Sequence, residues 1–427
     1  MPAFIADLVE GEGLRVFGPA KLGVESGLAM ILGAELGAGE EVVVGGRRSY
    51  LLKALKRSRV KIELMGRGRV EVPGDGEEPL DEWVMVADSI IDSCPDGCVV
   101  AVMGPTDAGK TSFTALLANR SLRRGLPPAI IDADVGQADI GPPGFISMAM
   151  PDNWVLWLRQ LEPEAIRFIG SIEPGPVAGR ILTSVSSLAR LARSRGAANI
   201  FVDTDGWVTG WAALEYKADL ARLAEAHYVV VVGDHTLYSY MQRVVDAEVA
   251  YVRSPQVLAA RSVEERRELR RDNYRRFLDG EERVIDLTKV KVQGGCIGSP
   301  PYDNESVKAM IESQTGYKVK YMARYPGGLC VALDAPGYVD HQSLKPVQKK
   351  VGEGELIVVT RGTMKGVLSA LTGPDGNDYP ALLIELDLDT LKATFRTRYM
   401  GEVRKVYFGR IRIDEDYREE ARGRIWV

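Results

Sequence analysis

Three patterns of apolar and polar residues follow one another along the chain. Residues 1–78 contain short apolar stretches separated by glycines, at 14–18, 41–45 and 60–64. This spacing is typical of a small domain built from β-strands. The segment 71–79 is rich in proline, glycine and acidic residues, which indicates a linker. We therefore expect an N-terminal β domain over residues 1–78.

The pattern changes over residues 79–285. Apolar runs at 98–103, 129–132, 200–203 and 228–232 alternate with segments of helical periodicity, and most of them end in Asp or Gly. Near-continuous apolar strands of this kind predict an α/β fold, with a parallel sheet covered by helices on both faces. Alternating strands return over residues 286–427, for example at 382–387 and 406–413. A small β-rich C-terminal domain is predicted there.

Composition narrows the class of protein. The 427 residues are 45% hydrophobic and 26% charged, and no apolar run approaches the ~20 residues that cross a bilayer. We therefore expect a soluble, intracellular protein with no membrane partner. The net charge of −5 argues against a protein that coats nucleic acid through a strongly basic surface. Any nucleic acid must therefore bind at a local basic site.

The four cysteines are Cys94, Cys98, Cys296 and Cys330. They show no paired CxxC spacing, which indicates neither a zinc ribbon nor a disulfide framework. Buried free thiols are predicted for all four.

The strongest chemical motif is a phosphate loop. It reads Gly104-Pro105-Thr106-Asp107-Ala108-Gly109-Lys110-Thr111, followed by Ser112. It fits GxxxxGK[ST] at every fixed position, follows an apolar strand and opens a helical stretch. Backbone N–H groups would converge on the phosphates of ATP. Lys110 would reach the β- and γ-phosphates, and Thr111 would hold Mg²⁺.

Two acids follow the second strand of the predicted sheet. Asp132 and Asp134 lie in the segment DADVGQ, which ends at Gln137. Because side chains alternate along a strand, both acids point to the same side. Phosphoryl transfer needs an acid near the metal and a group within reach of the attacking hydroxyl. The alternative is an acid pair that caps a loop.

The third strand ends in Asp203-Thr204-Asp205-Gly206-Trp207. A hydroxyl, a flexible glycine and an aromatic ring at this edge could grip a phosphate and stack on a base. Trp207 and Trp211, four residues apart, could equally be core residues.

Basic residues are concentrated over 253–276, which contains eight arginines against four acids. Charged helices are often solvated surfaces, but P-loop kinases commonly bring arginines over the transferring phosphate on a mobile lid. We favour the lid. Basic residues also alternate with other residues in the C-terminal domain. They are predicted to form the polar face of a half-solvated sheet, and the alternative is a contact with nucleic acid. These residues are Lys392, Arg396, Arg398, Arg404, Lys405, Arg410 and Arg412.

Together these motifs resemble the polynucleotide 5′-hydroxyl kinase family, which includes the pre-mRNA cleavage-factor kinase subunit, the ribosomal-RNA-processing kinase and their archaeal relatives. The resemblance covers nearly the whole chain. It includes the phosphate loop, DxDxGQ at 132–137, a TxGW clasp at 204–207 and an arginine-rich lid that begins at Arg261.

The resemblance implies three domains, use of ATP and Mg²⁺, and phosphate transfer to the 5′-hydroxyl of RNA, with DNA as a second substrate and RNA-processing proteins as partners. Asp132 then resembles the group that activates the hydroxyl, and Asp134 a ligand of the metal's water shell. The implied substrate residues are Asp134, Gln137, Thr204, Gly206 and Trp207, and the implied lid cations are Arg261, Arg266 and Arg270. Asp205 departs from the pattern because it adds negative charge beside an anionic substrate.

Three other functions fit the motifs less well. An ATP-binding scaffold without turnover would not need Lys110, Thr111 and Asp132 together. A GTPase switch would need an NKxD segment, which the chain lacks. A small-molecule kinase has no obvious use for both a basic lid and a tryptophan clasp.

Overall fold

The computed structural model describes residues 3–46, 48–257, 262–337, 339, 344–351 and 354–422. The N-terminal domain is a pair of antiparallel sheets, ordered β1-β8-β3-β6 and β5-β4-β7-β2-β9. Its strands are β1 (Ala3–Leu8), β2 (Gly13–Phe17), β3 (Ala20–Ser26), β4 (Leu28–Ile31), β5 (Ala34–Gly37), β6 (Glu41–Val44), β7 (Ser49–Ala54), β8 (Ser58–Leu64) and β9 (Arg69–Glu71). In β6, Val42 and Val44 are buried and Glu41 and Val43 are exposed, so period-2 alternation places one face in the core.

The central domain is a seven-stranded sheet in the order β13-β12-β11-β14-β10-β15-β16. Its strands are β10 (Val99–Met103), β11 (Pro128–Ala133), β12 (Phe145–Ala149), β13 (Ala165–Phe168), β14 (Asn199–Thr204), β15 (Tyr228–Val232) and β16 (Glu248–Val252). Five strands run parallel, as predicted, and β12 and β13 add an antiparallel edge. Its helices are α1 (Leu80–Asp92), α2 (Lys110–Arg123), α3 (Ala178–Ser194), α4 (Trp211–Leu223), α5 (His235–Val244) and α6 (Val263–Leu278).

Both faces of this sheet are covered. Val100 and Val102 of β10 point to the face packed by α1, α2 and the N-terminal domain. Val99, Ala101 and Met103 point to the face packed by α3, α4 and α5. The run is apolar throughout because each face of the strand meets a helical layer.

The C-terminal domain is β-rich but also contains helices. One sheet has the order β17-β24-β23-β22-β25-β18 with β26 on β25, and a second is β19-β20-β21. The strands are β17 (Glu281–Asp286), β18 (Lys291–Gln293), β19 (Val319–Tyr325), β20 (Gly328–Leu333), β21 (Glu355–Thr360), β22 (Val367–Thr372), β23 (Asp378–Asp387), β24 (Lys392–Thr397), β25 (Lys405–Ile413) and β26 (Glu419–Arg422). The helices are α7 (Glu305–Thr315), α8 (Lys345–Val351) and α9 (Arg361–Met364).

The C-terminal domain packs directly on the central sheet. Phe145 and Phe168 share a buried cluster with Tyr407 of β25, and Tyr274 of α6 joins the same cluster. Phe168 N donates to Asp378 Oδ2 at 3.0 Å. The lid helix α6 is therefore wedged between the two domains. The predicted boundary after residue 285 falls inside β17, which ends at Asp286. Because β17 pairs with β24, the whole strand belongs to the sheet of the C-terminal domain.

The prediction of four free thiols was wrong for two of them. Cys94 and Cys98 are free and buried, but Cys296 and Cys330 form a disulfide, with Cα atoms 5.4 Å apart. They are 34 residues apart in sequence, and only the packing of β20 against the turn at 296–298 brings them together. Within the described residues, no helix is long and apolar enough to span a membrane.

The disulfide predicts a thiol count. The unreduced, denatured protein should show two reactive thiols, whereas the reduced protein should show four. Reduction should also lower the free energy of unfolding by up to about 4 kcal/mol, because the bond closes a loop of 34 residues. Ellman titration and urea unfolding measure the two effects. Four thiols without reductant would contradict the bond, and Cys296→Ser, with three free thiols, is the control.

Candidate active site at the phosphate loop

The phosphate loop connects β10 to α2 and turns on two glycines. Gly104 has φ 149°, and a Cβ there would lie 2.4 Å from the Val232 carbonyl oxygen. Gly109 has φ 106° and precedes α2 directly. Since only glycine adopts these conformations without strain, the motif fixes the loop locally. Lys110 is buried, and its Nζ donates to the Pro105 carbonyl at 2.8 Å.

A pocket opens beside this loop at the junction with the N-terminal domain. The N-terminal domain and α1 supply mainly apolar side chains, including Leu32, Tyr50 and Trp83. The phosphate loop and the segment after β11 supply the polar lining, made of Thr106, Asp107, Lys110, Thr111, Ser112, Asp134, Gln137 and Asp139. Such a lining suits a nucleotide, with an apolar surface for the base and donors for the phosphates.

The two acids of DxDxGQ occupy different environments. Asp134 lines the pocket, and its Oδ1 accepts from Gly136 N and Gln137 N at 3.0 and 2.8 Å. Asp132 is 2% exposed, and its Oδ2 accepts from Asp139 N and Ile140 N at 2.7 and 2.9 Å. Asp132 therefore holds the loop that carries Asp134. Its contact with the attacking hydroxyl stays a prediction.

A third acid was not assigned a role from the sequence. Asp203 is the second-last residue of β14, directly beside β10 and in register with Val102. Its Oδ1 is buried and has no hydrogen-bond partner among the described residues. Burial raises the pKa of Asp203 to about 7, although the charge of Lys110 and the Thr111 hydroxyl act in the opposite direction. In the sequence, Asp203 stands out because it follows an apolar strand. Only the order of the strands in the sheet shows that it lies beside the phosphate loop.

These acids fit a divalent cation shared with phosphates. Burial also raises the pKa of Asp132 and of Asp134, with further increases from Asp203 and Asp205 respectively. Among the residues that the structure describes, no group of three His, Cys, Asp or Glu could hold a metal alone. Mg²⁺ usually keeps waters and uses one or two carboxylates together with substrate phosphates. Thr111, Asp134 and Asp203 provide oxygens of that kind.

The clasp contacts the phosphate loop. A Cβ on Gly206 would lie 2.3 Å from Thr106 Oγ1 and 2.7 Å from Thr106 N, so this position requires glycine for close approach. Thr204 is fully buried, and its hydroxyl donates to the Val102 carbonyl at 2.9 Å. That bond joins β14 to β10. Contact between Thr204 and the substrate stays a prediction.

Asp205 is neutralised within the protein. Lys217, which is fully buried, lies 3.1 Å from Asp205 Oδ1 and donates to the Asp205 carbonyl at 2.7 Å. The Tyr216 hydroxyl donates to Asp205 Oδ2 at 2.7 Å. Burial lowers the pKa of Lys217, and the carboxylate opposes that shift. The negative charge that stood out in the sequence therefore belongs to a buried ion pair.

The two tryptophans differ. Trp207 is partly buried and stacks on Tyr216, with ring centroids 5.6 Å apart. Trp211 is 74% exposed, so it is not a core residue.

The lid helix α6 reaches the phosphate loop through Arg266. Its Nη2 donates to Asp107 Oδ2 at 2.5 Å. Arg270 is buried and makes two hydrogen bonds to Glu419 of β26, at 2.7 and 3.1 Å. Asn273 donates to the carbonyls of Ala138 and Gly141, in the loop that Asp132 holds. Arg261 lies outside the described residues, so its predicted place in the lid stays a prediction.

The Asp205–Lys217 pair yields a stability prediction. Lys217→Met should lower the free energy of unfolding by about 3–5 kcal/mol, because it leaves a buried carboxylate without its cation. Adding Asp205→Asn should restore most of the loss. Urea unfolding measures both, and Lys308→Met, which removes an exposed lysine paired with Glu305, is the control. A loss below about 1 kcal/mol for Lys217→Met would contradict the pairing.

Known proteins resemble this chain in both sequence and fold. The family model described as the mRNA cleavage and polyadenylation factor CLP1 P-loop matches residues 104–280. A polyribonucleotide 5′-hydroxyl-kinase of Thermococcus kodakarensis is 25% identical over 330 residues, which cover 74% of this chain and 89% of that protein. One of Methanocaldococcus jannaschii is 24% identical over 327 residues, which cover 75% and 88%.

The fold comparison extends further along the chain. The solved complex of wild-type Clp1p with Pcf11p (454–563) superposes with a TM-score of 0.63 at 13% identity. It covers 96% of this chain and 98% of that one, so the fold is shared along nearly the whole chain. The family match spans the phosphate loop, the acids, the clasp and the whole of helix α6. Residues 104–280 therefore carry the CLP1 P-loop domain, and the chain is similar in sequence to proteins named polyribonucleotide 5′-hydroxyl-kinases.

Proposed function

We propose that the chain is an ATP- and Mg²⁺-dependent polynucleotide 5′-hydroxyl kinase that acts on RNA. The observation that carries this proposal is the convergence of Lys110, Asp134 and Asp203 with the lid residue Arg266 at one phosphate loop. Phosphoryl transfer depends on positioning and on stabilisation of charge, and this arrangement supplies both. The relatives named as polyribonucleotide 5′-hydroxyl-kinases support the choice of acceptor.

Each group has a proposed task. Lys110, Thr106, Ser112 and the backbone of the loop hold the phosphates of ATP. Thr111, Asp134 and Asp203 would hold Mg²⁺, which supplies positive charge at the transferring phosphate when it is bound. Asp134 lines the pocket, and we therefore propose that it contacts the reacting groups directly. Asp132 lies beneath the pocket. Its Oδ1 is more weakly hydrogen-bonded than its Oδ2, so Oδ1 is the atom that we propose for contact with the attacking hydroxyl.

The acceptor strand is expected on the clasp side. We propose that Gln137, Thr204, Gly206 and Trp207 form its first subsite, with the indole of Trp207 stacking on the terminal base. Arg266, Arg270 and Arg261 are proposed as lid cations, with Arg270 acting through its anchor on Glu419. DNA is a second proposed substrate. We also propose an intracellular location. An RNA-processing protein is a further proposed partner, because a solved structure of similar fold is itself a protein complex.

Direct assay tests this function. The protein should transfer label from γ-labelled ATP to an RNA with a 5′-hydroxyl, and not to the same RNA with a 5′-phosphate. Lys110→Ala should remove transfer and keep the fold, because the lysine acts on phosphate charge. Lys308→Ala, at a partly exposed position on α7, is the control. Mg·ATP binding without any transfer would instead support a scaffold, and label on a small metabolite would support another kinase.

The lid predicts a split between turnover and binding. Arg266→Lys should lower turnover by about tenfold or more, because an ammonium group cannot copy the donors of a guanidinium. The affinity for ATP should stay within about twofold. The neighbouring Arg267→Lys is the control, since Arg267 is 59% exposed and pairs with Glu264 on the same helix. If turnover by Arg266→Lys also stayed within about twofold, less than ~0.5 kcal/mol, α6 would be an ordinary charged surface.

A further inference from the structure

A second cleft lies between the central and C-terminal domains. We call it the Arg180–Arg410 cleft. Arg180 enters it from the first turn of α3, and Gln293, Tyr325, Tyr407 and Arg410 line it from the C-terminal domain. None of these residues belongs to the nucleotide pocket.

Arg180 lacks a carboxylate partner. Its Nη1 donates to the Ile169 carbonyl at 2.6 Å, and its guanidinium lies 4.7 Å from the centre of the Tyr407 ring. Among the described residues no acid lies within ion-pair distance of it. Burial lowers the pKa of Arg180 and the charge of Arg410 adds to that shift, whereas Tyr407 and the carboxylate of Asp378 act in the opposite direction. Most N–H donors of this guanidinium therefore remain available to an anion.

Arg410 adds a second unpaired cation. Its backbone N donates to the Gly170 carbonyl at 2.9 Å, and its exposed side chain has no ion-pair partner in the described part of the chain. By contrast, Arg15, Arg120 and Arg124 each pair with two or more acids. Two unpaired arginines in one cleft repel each other, and an anion between them would remove that cost.

The rest of the cleft favours an extended polyanion. Lys405 Nζ lies 5.2 Å from the Tyr407 ring, so cations lie around this tyrosine from both domains. The carboxylate among the described lining residues is Glu355, and it accepts a hydrogen bond from the Tyr325 hydroxyl at 3.0 Å. Tyr407 itself is buried, so the cleft offers cations to an anionic backbone and no ring for a base to stack on. Such a charged groove is suited to following the phosphates of a single strand.

The cleft adjoins the clasp. A Cβ on Gly175 would lie 3.4 Å from the Trp207 ring. Arg180 follows only five residues later, a distance of about 8 Å along helical backbone. The clasp thus touches the phosphate loop through Gly206 and Thr106, and it touches the segment that leads into Arg180 through Trp207 and Gly175.

We propose that the Arg180–Arg410 cleft binds the phosphodiester backbone of the substrate RNA, downstream of the nucleotide that receives the phosphate. The proposal rests on the proposed kinase function and adds a second subsite to it. The cleft is outside the reacting centre. It therefore contributes to the affinity for longer strands and leaves the chemical step unchanged.

The experiment compares two substrates and three variants of the full chain. KM and kcat are measured for a 5′-hydroxyl dinucleotide and for an RNA of about fifteen nucleotides, across a range of salt concentrations. The variants are Arg180→Gln, Arg410→Gln and the double variant. Arg190→Gln is the control, because Arg190 is exposed, lies on the same helix α3 as Arg180 and is not among the residues that line the cleft.

For the long RNA, each single variant should raise KM about fivefold and lower the slope of log KM against log salt by about one. Its kcat, and both constants for the dinucleotide, should stay within about twofold of the parent. Arg410→Gln keeps the test valid if Arg180→Gln fails to fold. An unchanged KM and salt slope for the long RNA would overturn the cleft. A parent protein that phosphorylates neither substrate would instead overturn the kinase function.

Discussion

The structure depends on how buried charge is balanced at one edge of the central sheet. Lys110, Asp203 and Asp134 meet where β10, β14 and β11 end, and burial raises the pKa of both acids. The ion pair between Asp205 and Lys217 removes a further charge from the same edge. What remains is a site with more carboxylates than cations, which favours a divalent metal carrying phosphates.

Parts of all three domains meet at this edge. The N-terminal domain closes one side of the nucleotide pocket, and Gly33 packs so closely on α2 that a Cβ there would lie 3.1 Å from Leu116. The C-terminal domain holds α6 through Arg270 and Glu419, while Asn273 fixes the loop under Asp134. Helix α6 is thus positioned by contacts on both of its sides.

Local motifs could be predicted from the sequence, and pairings across the fold could not. The phosphate loop and the apolar strands follow from short-range spacing, and they correctly indicated the α/β core. Asp203, in contrast, has a role only because β14 lies beside β10. Three pairings could not be predicted because each depends on packing between separate elements. They are Asp205 with Lys217, Arg270 with Glu419, and Cys296 with Cys330. The helices α7 and α8 were missed because their apolar faces are narrow within a β-rich region.

The charge balance at the phosphate loop is tested most directly by measuring ATP affinity with and without Mg²⁺. Because the buried acids Asp134 and Asp203 lie close enough to Lys110 for its charge to act on both, they would repel a triphosphate that carries no metal. ATP in EDTA should therefore bind at least about tenfold more weakly than Mg·ATP, a difference of ~1.4 kcal/mol. Replacing both acids by asparagine should remove most of that preference. Equal affinity with and without Mg²⁺ in the parent protein would contradict a site built for a metal-bound triphosphate.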